Sequence, residues 1–407
     1  MGHSGRAART RRRRGRALTT TTARVAAAVL FLSFVDVFAL LPTVAPHASS
    51  LGAGPAMLGL IVGAYSAANL PANVAGGVLV DRLGRRRMTL LGLALAVLAV
   101  ALYPLAATPG QLLAARLLHG GAGGLLVPAV FALAGDRAET GRTGRTMGRL
   151  GALIGAAAVV APAGAGILRQ LAGTSAVFGV VAGLLGLGWL MAWRWVGDAP
   201  SPAPPASAGL PGLLRLTALR RALAATAAMT VAVGVLAAFL PARAEELGAE
   251  PWFVGALFTI YALAAAAVML SPVSSRVDRG LGGRLIATGL GTLAVALLIV
   301  VLATGPGAMV AAMVVFGLGY GLIFPAATGT ASLLSGPLAR GRAFGLFNAA
   351  FSVGLAVGPP AAGLIAERVP ALDPFVLAAG LCGLATLVLA ATANASGPHG
   401  HTTSSGR

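Results

Sequence analysis

Asp36, Arg116 and His119 are the side chains best placed to do chemistry, because each lies inside a long apolar stretch of the sequence. Asp36 is the one acidic residue within any such stretch. Counted along a helix from Val25, it lies about 16 Å in, at the midplane of a hydrocarbon layer ~30 Å thick. Arg116 lies roughly 6–9 Å below the outer surface by the same helical rise. An arginine at such depth costs at least ~2.5 kcal/mol, so it calls for a carboxylate partner or a polar cavity. The depth difference of roughly 6–8 Å is one that an arginine side chain can bridge, and an Asp36–Arg116 pair is expected. Burial penalises a charged carboxylate and a nearby guanidinium favours it. A carboxyl held between those two pulls can take up and release a proton. The plainer alternatives are a fixed Asp–Arg structural pair, an Arg116 snorkelling to the outer interface, and a His119 that is only a hydrogen-bonded packing residue.

The rest of the composition narrows the chemistry further. Of 407 residues, 57% are apolar and 10% charged, against about 25% charged in soluble chains, so the chain cannot coat a water-facing surface. All 30 basic side chains are arginine, which removes a phosphate-loop lysine, a Schiff-base lysine and a lysine nucleophile. A single cysteine, Cys382, allows neither an internal disulfide nor a thiolate metal site. No metal, cofactor or enzymatic centre is expected, since the apolar stretches offer only Asp36, Arg116 and His119 as acid, base or cation.

Twelve apolar segments are long enough to span a bilayer. They fall near 25–44, 57–79, 88–106, 111–134, 146–168 and 174–196, then 222–241, 252–273, 285–304, 307–332, 343–366 and 374–392. Arginines crowd the tail at 1–24 and the even-numbered junctions, while the odd-numbered junctions hold Arg169, Arg243 and Arg368. Positive charge stays on the cytoplasmic side, so both termini are expected there, in a multi-pass protein of the cell membrane. The run Arg11 to Arg14 is read as a topology signal that also meets anionic lipid heads, not as a nucleic-acid site.

The two halves repeat. Asp81-Arg82 recurs as Asp278-Arg279, Gly120 and Gly124 recur as Gly317 and Gly321, and Pro162 with Gly166 recurs as Pro359 with Gly363, each 197 residues later. Tyr65 pairs with Tyr261 at 196. The expected fold is therefore an all-α membrane protein of two pseudo-symmetric six-helix bundles, 25–196 and 220–392. A proline-rich linker at 197–219 joins them, with tails at 1–24 and 393–407. Two such bundles with a site between them suit alternating access.

The junction after the second span reads Gly77-Val-Leu-Val-Asp81-Arg82-Leu-Gly84-Arg85-Arg86-Arg87. It resembles, at every position, the G-x-x-x-D-R-x-G-x-R-R signature of the major facilitator superfamily. The resemblance implies a cytoplasmic gate in which Asp81 pairs across the bundles, Arg82, Arg86 and Arg87 are charge partners, and Gly77 permits close packing. Asp278 and Arg279 form a degraded second copy. Arg116-Leu-Leu-His119-Gly120-Gly-Ala-Gly123 resembles the family's R-x-x-Q-G-x-G motif, linked to proton transfer, with His119 in place of glutamine. Pro162 with Gly166, and Gly358-Pro359 with Gly363, resemble the glycine-proline signature of its antiporters, which kinks a helix. The candidate cavity groups are few: Tyr65, Asn69, Asn73, Tyr261, Tyr320 and Asn348. So sparse a set suits an amphipathic or lipophilic substrate. The pattern is nearest to the family's twelve-span drug/proton antiporters, acting as monomers on small molecules and protons. A proton symporter importing a sugar or other metabolite is the alternative.

Overall fold

The computed structural model describes residues 3–135, 143–197, 215–273 and 281–394, and is all-helical over them apart from short connections. Twelve helical segments are long and apolar enough to cross a membrane. In the first half they are Thr21–Ala39, Pro55–Leu83, Arg85–Leu105, Pro109–Leu133, Gly148–Ala172 and Thr174–Trp195. In the second they are Thr217–Glu246, Pro251–Leu270, Gly282–Leu302, Pro306–Ser332, Gly345–Arg368 and Pro374–Ala391. They are called the first to twelfth spans below. Residues 198–214, which make up most of the expected linker, lie outside the described residues.

Local sequence explains the boundaries. Proline opens the second, fourth, eighth, tenth and twelfth spans, where its missing N–H would have no helical partner in any case. Gly84 and Gly173 are each the single residue between consecutive helices, and both take positive φ, +87° and +81°. A side chain there would be strained, which gives the signature glycine at 84 a purely conformational reason. The loop expected between the tenth and eleventh spans is instead helical, within one continuous run Pro306–Arg368. The helix runs through this junction although Gly336, Pro337 and Gly341 in it are poor helix formers.

Small residues set the packing inside each half. A Cβ at Gly120 would overlap the Tyr65 carbonyl, and one at Gly317 would overlap the Tyr261 carbonyl. The second and fourth spans therefore meet as the eighth and tenth do. The halves meet each other in the same repeated way. Gly59 lies against the Pro359 carbonyl and Gly363 against that of Pro55, while Gly255 lies against the Pro162 carbonyl and Gly166 against that of Pro251. The second span thus packs on the eleventh, and the eighth on the fifth. Thr259 adds a bond across the latter pair, its hydroxyl donating to the Val159 carbonyl at 2.8 Å.

These contacts gather at the Pro55 end of the molecule. Arg169 Nη2 donates to Glu245 Oε1 at 2.7 Å, Gln170 Nε2 to Glu250 Oε2 at 2.8 Å, and the Ala56 N–H to Glu367 Oε2 at 2.9 Å. Toward the opposite end, marked by Asp81, four glycines make no such contact among the described residues. The places a Cβ would take at Gly77, Gly148, Gly151 and Gly155 have no heavy atom within 4 Å.

Candidate functional site

The fourth span presents Arg116 and His119 on one face, since residues three apart on a helix are neighbours. The first span brings Asp36, the second Tyr65, and the turn Tyr103–Leu105 at the end of the third brings Tyr103. Asp36, Arg116 and His119 are 4%, 9% and 1% exposed, so none is solvated as a free charge would be.

His119 occupies the centre. Its Nε2 lies 2.8 Å from Asp36 Oδ2, and its Nδ1 lies 2.8 Å from the Tyr103 hydroxyl. Arg116 does not reach the carboxylate. Its Nε donates to the Ile61 carbonyl at 3.2 Å, its Nη2 to the Val62 carbonyl at 3.3 Å and its Nη1 to the Tyr103 hydroxyl at 3.3 Å. The guanidinium also sits 5.0 Å from the Tyr65 ring centroid, within cation–π range. The expected Asp36–Arg116 pair is therefore replaced by the chain Arg116–Tyr103–His119–Asp36. The reason is geometric: His119, one turn deeper than Arg116, fills the gap to Asp36, and Arg116 turns sideways onto second-span carbonyls, each of which has a second lone pair to offer. Asp36 Oδ1 is buried and has no hydrogen-bond partner among the described residues.

Tyr103 belongs to no motif. The signal that could have found it is chemical: a buried tyrosine hydroxyl nearly always has a polar partner, and this one closes an apolar span next to Pro104.

The remaining candidates separate into two groups. Tyr65 stands edge-on to His119 at 5.1 Å, and Asn69 Nδ2 donates to the Gly120 carbonyl at 3.3 Å. Asn73 is half-buried one turn beyond. In the second half, Tyr261 and Tyr320 meet edge-on at 5.5 Å. Rings not foreseen from sequence extend this contact: Phe316 against Tyr261, Phe324 stacked on Tyr320 at 5.7 Å, then Phe347 and Phe351. Asn348 is exposed.

At the other end, Asp81, Arg82 and Arg87 are exposed, and Arg86 Nη2 donates to the Trp193 carbonyl at 3.0 Å, tying the junction to the sixth span. Gly77, expected in a close contact, faces open space. Asp278 and Arg279 lie outside the described residues. The kink residues sit on packing surfaces. Pro162, Gly166 and Pro359 lie at the boundary between halves, and Gly358 packs on Val231 of the seventh span.

A sequence model of the Major Facilitator Superfamily matches residues 26–233 and, again, 222–406. The chain belongs to this superfamily. Membership makes it a multi-pass membrane transporter of small molecules rather than an enzyme. The crystal structure of the peptide transporter POT in complex with sulfate aligns over 92% of this chain and 94% of that one, with TM-score 0.73 at 16% identity. A mutant of the nucleoside transporter NupG aligns over 92% and 99%, with TM-score 0.77 at 12% identity. At such identities the likeness concerns the superfamily fold alone. Among curated relatives, the quinolone resistance protein NorA of Staphylococcus aureus is 23% identical over 142 residues, 35% of this chain and 37% of NorA. A probable actinorhodin transporter of Streptomyces coelicolor is 34% identical over 141 residues, 35% of this chain and 22% of that protein. The matched segment thus spans 37% of NorA and 22% of the actinorhodin transporter.

Proposed function

We propose that this major facilitator protein exports small lipophilic or amphipathic compounds in exchange for protons, with Asp36 as the proton-carrying group. The observation that carries this reading is the buried carboxylate with one oxygen fixed by His119 and the other buried without a hydrogen-bond partner among the described residues. A carboxyl with one unpartnered oxygen can gain and lose a proton there without dismantling its surroundings. The names of the two relatives, a quinolone resistance protein and an actinorhodin transporter, support export of planar aromatic compounds. The aromatic run from Tyr261 to Phe351 offers such compounds a surface on which to stack.

With both termini cytoplasmic, the Pro55 end faces out and the Asp81 end faces in. The proline–glycine contacts then form an outer seal, and the open glycines line an inward-facing cavity, the state that loads a compound for export. The protein acts in the cell membrane as a monomer, its basic tail against anionic lipid heads. Asp81, Arg82, Arg86 and Arg87, with Asp278 and Arg279, close the inner side in the opposite state. The test is expression in an efflux-deficient bacterial host: resistance to quinolones or to polyketide pigments should rise, and an uncoupler should abolish drug extrusion. Unchanged susceptibility across planar lipophilic compounds would contradict the export reading.

A further inference from the structure

Tyr103 is fully buried, stands edge-on to Phe178 at 5.2 Å, and its carbonyl is hydrogen-bonded by His47 Nε2 at 3.0 Å. Its hydroxyl therefore has a fixed place, and it meets two groups there. A guanidinium has no lone pair, so toward Arg116 Nη1 the hydroxyl must accept. Its own hydrogen remains for His119 Nδ1, 2.8 Å away. A nitrogen that accepts is the unprotonated one of a neutral imidazole, and which nitrogen this is follows from the bond the other makes. The proton of the ring accordingly sits on Nε2, which donates to Asp36 Oδ2 at 2.8 Å. The ionised Asp36 then has one oxygen engaged and one, Oδ1, buried and without a partner among the described residues.

We propose that Tyr103, held by Arg116, is a positioning residue that fixes the Nε2–H tautomer of His119, so that the transported proton is gained and lost at Asp36 Oδ1. The proposal rests on the proton-coupled reading above. On loading, a lone pair of Oδ1 forms an O–H bond and the carboxylate becomes neutral; release is the reverse, and the His119–Oδ2 bond survives both steps. The groups that face the pair are Tyr65 from the second span, Tyr103 from the third and Arg116 from the fourth. While Asp36 is ionised its carboxylate also holds the hydrogen on Nε2; once Asp36 is loaded and neutral, only the Tyr103 hydroxyl does so, and without it the ring is free to carry its hydrogen on Nδ1. Nε2 then turns a lone pair on Oδ2, and a proton that reaches the carboxyl is shared between oxygen and nitrogen, which slows its release.

The tautomer is read directly by nitrogen-15 NMR of the full chain, labelled at histidine and reconstituted in proteoliposomes, over a pH series that spans the loading of Asp36. His119→Gln identifies the signal among the five histidines. The expected spectrum has a protonated Nε2 and an unprotonated Nδ1 throughout in the wild type, and mixed tautomers in Tyr103→Phe once Asp36 is loaded. A wild-type ring protonated at Nδ1, or a Tyr103→Phe spectrum identical to wild type, overturns the proposal. In the same proteoliposomes, exchange of a fluorescent quinolone for protons should fall about tenfold in Tyr103→Phe, roughly one hydrogen bond's worth of barrier. In a His119→Gln background the same change should cost nothing further, because an amide donates to Asp36 with no tautomer to choose. A tenfold loss that persists in that background makes Tyr103 a packing residue and refutes the assignment. Quinolone transport with no counterflow of protons overturns the coupling reading itself, whichever tautomer the spectra show.

Discussion

A carboxylate, an imidazole, a phenol and a guanidinium share one buried polar patch in the first half of the molecule. Their order decides what each does. Asp36 touches only His119 within the patch, so Asp36→Asn removes the acid while keeping the shape of the side chain. Substrate-driven proton movement should vanish in this variant, with the protein still in the membrane and still able to bind substrate; equilibrium binding and proton flux measured on one preparation check it. Arg116→Ala should be as damaging, although the guanidinium never reaches the carboxylate. The double variant should be no worse than either single one, since groups joined in one hydrogen-bond chain lose function non-additively. Additive losses would mean that Tyr103 and His119 do not connect them. Asp36, Arg116 and His119 were legible in the sequence because charged or titratable residues in apolar stretches are conspicuous. Their pairing was not. Depth along a helix is one coordinate, and the partner of a long side chain depends on the other two.

At the scale of the element, proline and glycine govern both how the helices begin and how the two halves meet. Pro55 with Gly59 and Pro251 with Gly255 are 196 residues apart, and Pro162 with Gly166 and Pro359 with Gly363 are 197 apart, so each inter-bundle contact is made twice. A methyl group at Gly59 would overlap the Pro359 backbone, which cannot move as a flexible side chain would. Gly59→Ala should therefore disfavour the state in which this end is sealed, by about 1–3 kcal/mol if it behaves as an overpacked interior. Thiol reagents added from outside should then label cavity cysteines more readily, once Cys382 has been replaced; an unchanged labelling rate would contradict the role of this contact as a seal. The kinks and small residues were visible in the sequence as motifs. What they pack against was not, because a repeat shows that two segments are alike without showing which segments touch.

At the scale of the whole molecule, twelve spans, two related halves and superfamily membership follow from composition, arginine distribution and the signature at Gly77 to Arg87. The conformation adopted could not be read that way, since the same sequence encodes every state of the cycle. Here the Pro55 end is packed and the glycines near Asp81 face open space. Asp81→Asn leaves four arginines, Arg82, Arg85, Arg86 and Arg87, without their nearest acid in sequence. One partly exposed pair contributes only ~0.2–1 kcal/mol, yet contacts made in one state alone bias an equilibrium whose arms differ by little. Turnover should fall with near-normal substrate binding, and inner-cavity cysteines should label faster. The energy for export is ample: an entering proton gains about 2.3 kcal/mol per 100 mV, so ~150 mV sustains a several-hundredfold gradient of a neutral compound. The most direct measurement uses everted membrane vesicles with an acid interior, in which a planar quinolone is added and both drug and pH are followed. Drug should accumulate inside while protons leave, and Asp36→Asn vesicles should do neither. Drug accumulation that persists in Asp36→Asn, or protons that move in the same direction as the drug, would contradict proton-coupled export through Asp36.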